Sequence, residues 1–345
     1  MKKTLIALAV LASAGSVNAA EILKTDTASV DFYGQLREEI KQISYDAGKL
    51  KSTQTSTSVS SGSSRAGVNA RYAVSSDLDV LATVEFGIGQ TNSGDNRKHY
   101  IGFASKDYGT LTLGKQSILT DDIWGVENDY IGWGYSVLPE ADGYDMNWLQ
   151  DAMLKYSFQN DSGWVRAAYS YDNGKSDPET AELYAGTTFG NFDVYGGLGY
   201  QRDETSTDAS VVADNGKAKV KPAATKDTTL THGMLTVNYN GEGWNLGTTY
   251  WHAKVEDDTA NTNTTLNTDS YVVAGSYSVT KKTSVFGGFE YIDDFQEEDN
   301  TYNNTYAGVL YQYASWSKLY VETGISDDNR YGTDRYYGIG TRLYW

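Results

Sequence analysis

The residue types that perform covalent or metal chemistry are scarce in this chain. It has three histidines, His99, His232 and His252, and no cysteine, which excludes thiolate nucleophiles, thiolate ligands and disulfides. No two histidines have the spacing that places both on one metal ion. A nucleophile needs a base within hydrogen-bond reach. Asp95 is near His99, but nothing beside them marks a nucleophile. Gly109 to Lys115 spells Gly, four spacers, Gly, Lys. The next residue is Gln116 rather than Ser or Thr, and the segment alternates like a strand where a phosphate loop needs a helix N-terminus. Gly197-Leu198-Gly199 lacks the third glycine of a dinucleotide turn. Asp172-Asn173-Gly174 with Asp177 and Glu179 reads as a solvated acidic loop more readily than as a cation site. What the chain has in quantity is fixed charge. Asp121, Asp122, Glu127, Asp129, Glu140, Asp142 and Asp145 fall between Ser117 and Gln150, and Arg37, Arg65, Arg71 and Glu85 fall on the polar side of alternating segments. Such residues act by field, attracting, repelling and orienting charged and dipolar groups.

Something must hold those charges in place, and the pattern around them has period two. Val68, Ala70, Tyr72 and Val74 share one face, against Asn69 and Arg71. Leu78, Val80, Ala82, Val84 and Phe86 oppose Asp79, Thr83 and Glu85. This is the alternation of a β-strand with two unlike sides. It recurs from Val30 to the C-terminus in segments about ten residues long, the length of a tilted strand crossing a bilayer. No segment carries a capped helical period. Short turns such as Ser75-Ser76-Asp77, Asp161-Ser162-Gly163 and Gly190-Asn191 alternate with long polar connections over Ser44 to Ser63, Ser117 to Gln150, Asp203 to Thr229 and Asp257 to Asn267. The Ser/Thr-rich stretch Ser52 to Ser64 reads as part of the first of these loops. The count is about sixteen strands in one domain.

Composition points the same way. The 345 residues include 28 Tyr, 8 Trp and 35 Gly but 3 Pro and 4 Met, and mean hydropathy is −0.51. A soluble domain of this size buries an aliphatic centre. A barrel with a wet interior needs apolar side chains only outside, with rings at the two lipid boundaries. Tyr100, Tyr156, Phe158, Tyr169, Tyr171, Tyr200, Tyr239, Tyr313, Tyr344 and Trp345 are candidates for those rings. Lys2 and Lys3, the apolar run Thr4 to Val17 and the small residues of Val17-Asn18-Ala19 form a secretory leader over residues 1–19. The expected mature domain is 20–345. Losing two lysines takes the formal charge from −17 to −19, 26 basic against 45 acidic residues, which argues against nucleic acid as a partner. Lipid offers no water to unpaired backbone, so an all-β chain crosses it only as a closed sheet. The expectation is an all-β, antiparallel, transmembrane β-barrel.

The chain ends Gly340-Thr341-Arg342-Leu343-Tyr344-Trp345, an end that looks like the signal read by the barrel-assembly machinery, with Gly340, Leu343 and Trp345 as its marked positions. The start Ala20-Glu21-Ile22, then Val30-Asp31-Phe32-Tyr33-Gly34, resembles that of the general trimeric porins of gamma-proteobacteria, the vibrio type in particular. Leu138-Pro139-Glu140 is similar to the Pro-Glu motif of the loop that folds inward in those porins. The resemblance implies a sixteen-stranded barrel, a homotrimer in the outer membrane beside lipopolysaccharide, and a third extracellular loop, here 117–150, constricting each pore. It implies passive passage of small hydrophilic solutes and ions, no enzymatic activity and no cofactor. A sugar-selective channel and a surface adhesin or phage receptor remain alternatives. Charges at a constriction replace part of an ion's hydration and set selectivity. Glu140 matches the family's acidic position, with Asp142, Asp145, Asp121 and Asp122 near it. Arg65 matches a basic position and Glu85 an inward acid, with Arg37 and Arg71 on the same face. Gln35, Tyr100 and Asp151 stand where relatives carry basic residues, so the sequence predicts cation preference.

Overall fold

The computed structural model describes residues 20–46, 53–126, 130–131, 146–171, 177–207, 210–214, 217–221, 224–259, 263–295, 297–330 and 332–345. The leader and Glu127, Asp129, Glu140, Asp142 and Asp145 lie outside them. In chain order the strands are β1 (Ala20–Lys24), β2 (Ala28–Asp46), β3 (Thr53–Ser60), β4 (Arg65–Ala73), β5 (Leu78–Gly87), β6 (Asn96–Ser105), β7 (Gly109–Ser117), β8 (Leu149–Asn160), β9 (Gly163–Ser170) and β10 (Glu179–Phe189). There follow β11 (Phe192–Thr207), β12 (Ser210–Asp214), β13 (Lys217–Lys221), β14 (Ala224–Gly241), β15 (Trp244–Asp257), β16 (Thr264–Ser278), β17 (Thr283–Asp293), β18 (Thr301–Ala314), β19 (Ser317–Asp328) and β20 (Gly332–Tyr344). One short helix, α1 (Leu119–Asp122), follows β7. Among the described residues no helix is long and apolar enough to cross a membrane.

Successive wall strands pair antiparallel, and the sheet closes where β2 pairs β20 from Gln35↔Tyr344 to Asp46↔Thr333. On its other edge β2 meets β4 over residues 28–35 and β3 over 39–46. β3 and β4 are therefore one wall strand broken at 61–64, and β1 completes the wall beyond the end of β20 by pairing residues 29–32 of β2. The barrel has sixteen wall strands, with β12 and β13 forming a separate hairpin. Closure leaves no edge, so the backbone groups that lipid cannot satisfy are paired within the sheet. At the seam Gly34 and Trp345 exchange backbone bonds of 2.9 and 3.2 Å. Trp345 lies against Phe32, ring centroids 6.0 Å apart.

The outward face carries the apolar half of the alternation. Ile101, Leu113, Leu183, Leu198, Val273 and Val321 are all exposed, and Gly, Thr, Tyr and acidic residues alternate with such positions on the buried face. Connections at one end are short, at 106–108, 161–162, 190–191, 242–243 and 315–316, and at the other end run to 88–95 and 118–148.

Three expectations need correction. The Ser/Thr-rich stretch is a strand, β3, because Thr suits a pleated surface and its backbone is paired along β2. Strands likewise continue into 203–207 and 224–229, so the loop there is shorter than its polar sequence suggests. The interior is not uniformly wet. Met153, Ala168, Leu230, Met234, Trp251, Ala253 and Val255 form an apolar cluster with Ile118, Leu119, Ile123 and Met146. Inward apolar residues go unnoticed in a period-two reading because Met, Ala and Trp break the polar half without breaking the strand.

Candidate functional site

The apolar cluster identifies where the segment after β7 lies. Residues paired across a ladder row point to the same face, so every second row around the barrel faces inward. Arg166, Tyr184, Gly197, Met234, Trp251 and Ser270 are successive neighbours across β9, β10, β11, β14, β15 and β16. Residues 118–126 and 130–131 pack and hydrogen-bond against such positions. The Glu182 carboxylate, 5 % exposed, accepts the Leu119 N–H at 2.5 Å, the Thr120 N–H at 3.0 Å and the Thr120 hydroxyl at 2.6 Å. Val126 N–H donates to Thr249 Oγ1 at 2.8 Å, and the Tyr195 hydroxyl donates to the Trp124 carbonyl at 2.8 Å. Farther along, Glu322 accepts Tyr130 N–H at 2.6 Å and Ile131 N–H at 3.2 Å. Arg342 and Lys41 donate to the carbonyls of Tyr130 and Ile131, at 2.9 and 3.3 Å. A loop has spare backbone donors and acceptors, and the buried carboxylates and cations of distant strands satisfy them.

The predicted wall charges face inward, but they are mostly paired. Glu85 is buried and accepts the Tyr33 hydroxyl at 3.1 Å and Arg97 Nε at 3.0 Å, with Arg65 Nε at 3.6 Å. Arg37 grips Glu39 with both ends of its fork, at 2.7 and 3.2 Å, and the Tyr320 hydroxyl bonds the same carboxylate at 2.5 Å. Arg71 pairs with Asp79 through Nε at 2.6 Å. That pair belongs to the short-turn end of β4 and β5, away from residues 118–126 and 130–131. On α1, Asp121 is exposed. Asp122 meets Lys155 at 2.6 Å and the Ser117 hydroxyl at 2.8 Å. Burial opposes charge on Asp122, yet Lys155, Lys98 and these hydrogen bonds outweigh it and hold its carboxyl below the usual carboxylate range.

Asp151 does not occupy an inward basic position. It is exposed and pairs with Lys115 on the outer face at 2.6 Å, because the register shifts between Gly114 and Gln116 where β7 meets β8. Gln35 is buried and donates to the Ser63 carbonyl at 3.0 Å. Tyr100 and Tyr344, expected among the boundary rings, belong to the inner face: Tyr100 lines a niche with Lys98, and Lys318 Nζ lies 5.2 Å from the Tyr344 ring. Lys98, Lys155, Arg166, Lys318 and Arg342 are inward cations that the sequence reading did not single out. Their parity within β6, β8, β9, β19 and β20 was the available signal. Of the proposed assembly residues, Leu343 and Trp345 alternate with the inward Tyr344. Gly340 leaves room for Tyr320, whose ring atoms would lie 2.5–2.6 Å from any Cβ there.

A closed sixteen-stranded barrel, apolar outside and lined with paired charges inside, defines the class of outer-membrane channel proteins. The chain belongs to the Gram-negative porin family, whose model matches residues 4–331. It is 28% identical over 351 residues to Porin-like protein H of Photobacterium profundum, covering 95% of each chain. It is 26% identical to the major outer membrane protein P.IB of Neisseria meningitidis over 94% of this chain and 93% of that one. Among solved structures, a loop-deletion mutant of OmpT, an outer membrane protein of Vibrio cholerae, superposes with a TM-score of 0.78 at 32% identity, covering 93% of this chain and all of that one.

Proposed function

We propose that this porin is a general diffusion channel for small hydrophilic solutes and ions, constricted by the loop 117–150 and mildly cation-preferring. The observation that carries this reading is the anchoring of residues 118–126 and 130–131. Their backbone is held by Glu182, Thr249 and Glu322 on β10, β15 and β19, which supports a loop running across the interior. Support for cation preference is electrostatic. Glu39 and Glu85 offset two of the three charges of Arg37, Arg65 and Arg97, and Asp121 with the loop acids Glu140, Asp142 and Asp145 outnumber the one that remains. Low-dielectric walls make a few such charges effective. A homotrimer accords with the trimer form of OmpT, 30% identical over 93% of this chain.

Planar-bilayer recording of the mature protein tests the reading. Three equal conductance steps per insertion and a reversal potential favouring potassium over chloride in a KCl gradient are expected. Absence of conductance overturns the channel, and chloride preference overturns the assigned selectivity.

A further inference from the structure

Beside α1 the inner wall contains a niche of about 170 Å³ lined by residues that include Lys98, Tyr100, Asp122, Lys155 and Arg166. Three cations face one carboxylate there. Lys155 is committed to Asp122 at 2.6 Å. Arg166 is different: its side chain is 7 % exposed, its guanidinium stacks 5.1 Å over the Trp164 ring, and among the described residues it has no hydrogen-bond acceptor. Asp122 reaches it only as a field, and Asp121, on the adjoining helical residue, bears on Lys98, Lys155 and Arg65. Lys98 Nζ also has no acceptor among the described residues. A buried arginine is normally matched by a carboxylate. Stacking on Trp164 satisfies the face of the guanidinium and leaves its donor edge for something else.

We propose that this niche is a resting site for the oxyanion of a passing solute, a phosphate or a group of similar size and charge, bound by Arg166 and Lys98 with Lys155 completing the field. The inference rests on the channel reading above. A cation-preferring pore with this cationic niche beside its loop admits cations freely and retains small anionic solutes one at a time. The arginine fork suits a planar or tetrahedral oxyanion because two parallel N–H groups meet two oxygens. The cavity limits the bound group to phosphate-like dimensions, with the rest of a larger solute in the lumen.

Single-channel current through the reconstituted wild-type protein in KCl, titrated with inorganic phosphate, tests this. The expected result is a saturable fractional block, half-complete at roughly millimolar phosphate. In Arg166→Gln/Lys98→Gln, with block expressed relative to that variant's own current, the saturable component should fall at least about tenfold in affinity, and Arg166→Lys should recover part of it. As a measurement independent of variant folding, phosphate should slow acylation of Lys98 in the wild-type protein, read by mass spectrometry, and leave the turn residue Lys281 unaffected. Wild-type current that falls only linearly with phosphate, or a double variant that keeps saturable block, overturns the site. Loss of KCl conductance itself in the wild type speaks against the channel rather than the niche.

Discussion

At the scale of single residues, the interior is governed by how each charge is paired more than by how many charges there are. Glu85 holds Arg97 at 3.0 Å and Arg65 at 3.6 Å and takes a third bond from Tyr33, so the two arginines contribute one net positive charge rather than two. Glu85→Gln keeps the side-chain shape and releases both. The expected outcome is a rise in chloride relative to potassium permeability of roughly twofold, the size that one partly screened ion pair carries. Reversal potentials check it, and an unchanged ratio would mean that lumen water already screens the cluster completely. The inward side of Arg37, Arg65, Arg71 and Glu85 was legible because each sits at fixed parity in a strand whose other residues are apolar. Their pairings were not, since a residue two positions away on the same face (Arg37–Glu39) or across a hairpin (Arg71–Asp79) pairs only in certain rotamers, and Tyr320 reaches Glu39 from the far end of the chain. Asp151 was misplaced because a one-residue register shift moves a side chain to the opposite face.

At the scale of elements, the segment after β7 depends on a few buried acceptors. Glu182→Ala leaves the Leu119 and Thr120 N–H groups without an acceptor in a dry cluster, costing about 1–3 kcal/mol. We expect increased open-channel current noise and faster proteolysis within 118–148, with the barrel still intact. Current noise equal to wild type would mean that the apolar cluster of Ile118, Leu119 and Ile123 is sufficient on its own. A second prediction concerns β3. Its polar sequence reads as loop, but its residues pair with 39–46 of β2 from Glu39↔Ser60 to Asp46↔Thr53. Hydrogen exchange in detergent should show protection of Val59 and its neighbours, well above that of the 88–95 connection. Rapid exchange there would return the segment to the loops. The break between β3 and β4 has a local cause: Gly62 adopts φ +48°, and Arg37 lies 2.6 Å from where its Cβ would stand.

At the scale of the whole molecule, closure is the event on which the rest depends. The C-terminal residue is bonded to Gly34 through both backbone groups, and Gly34 has no side chain because the Trp345 ring lies 2.4 Å from the position of its Cβ. Deleting Trp345 removes the last pairing of the seam and one outward ring. Expected are a severalfold lower yield of assembled barrel in the outer membrane and a lower temperature for loss of heat-modifiable migration on gels. Unchanged assembly would assign closure to the β2–β20 ladder alone.

The sequence by itself determined the strand periodicity, the side to which most charged residues turn, and the short-turn and long-loop alternation that makes a barrel. These are local consequences of a backbone whose neighbouring side chains point to opposite faces between lipid and water. Only the tertiary structure decided which inward charges cancel, where the interior becomes apolar, and that Lys98 and Arg166 face the same niche. The first needs particular rotamers and partners on neighbouring strands, and the other two need strands distant in the chain to meet at a particular register around a closed ring, information that no period within a single strand contains.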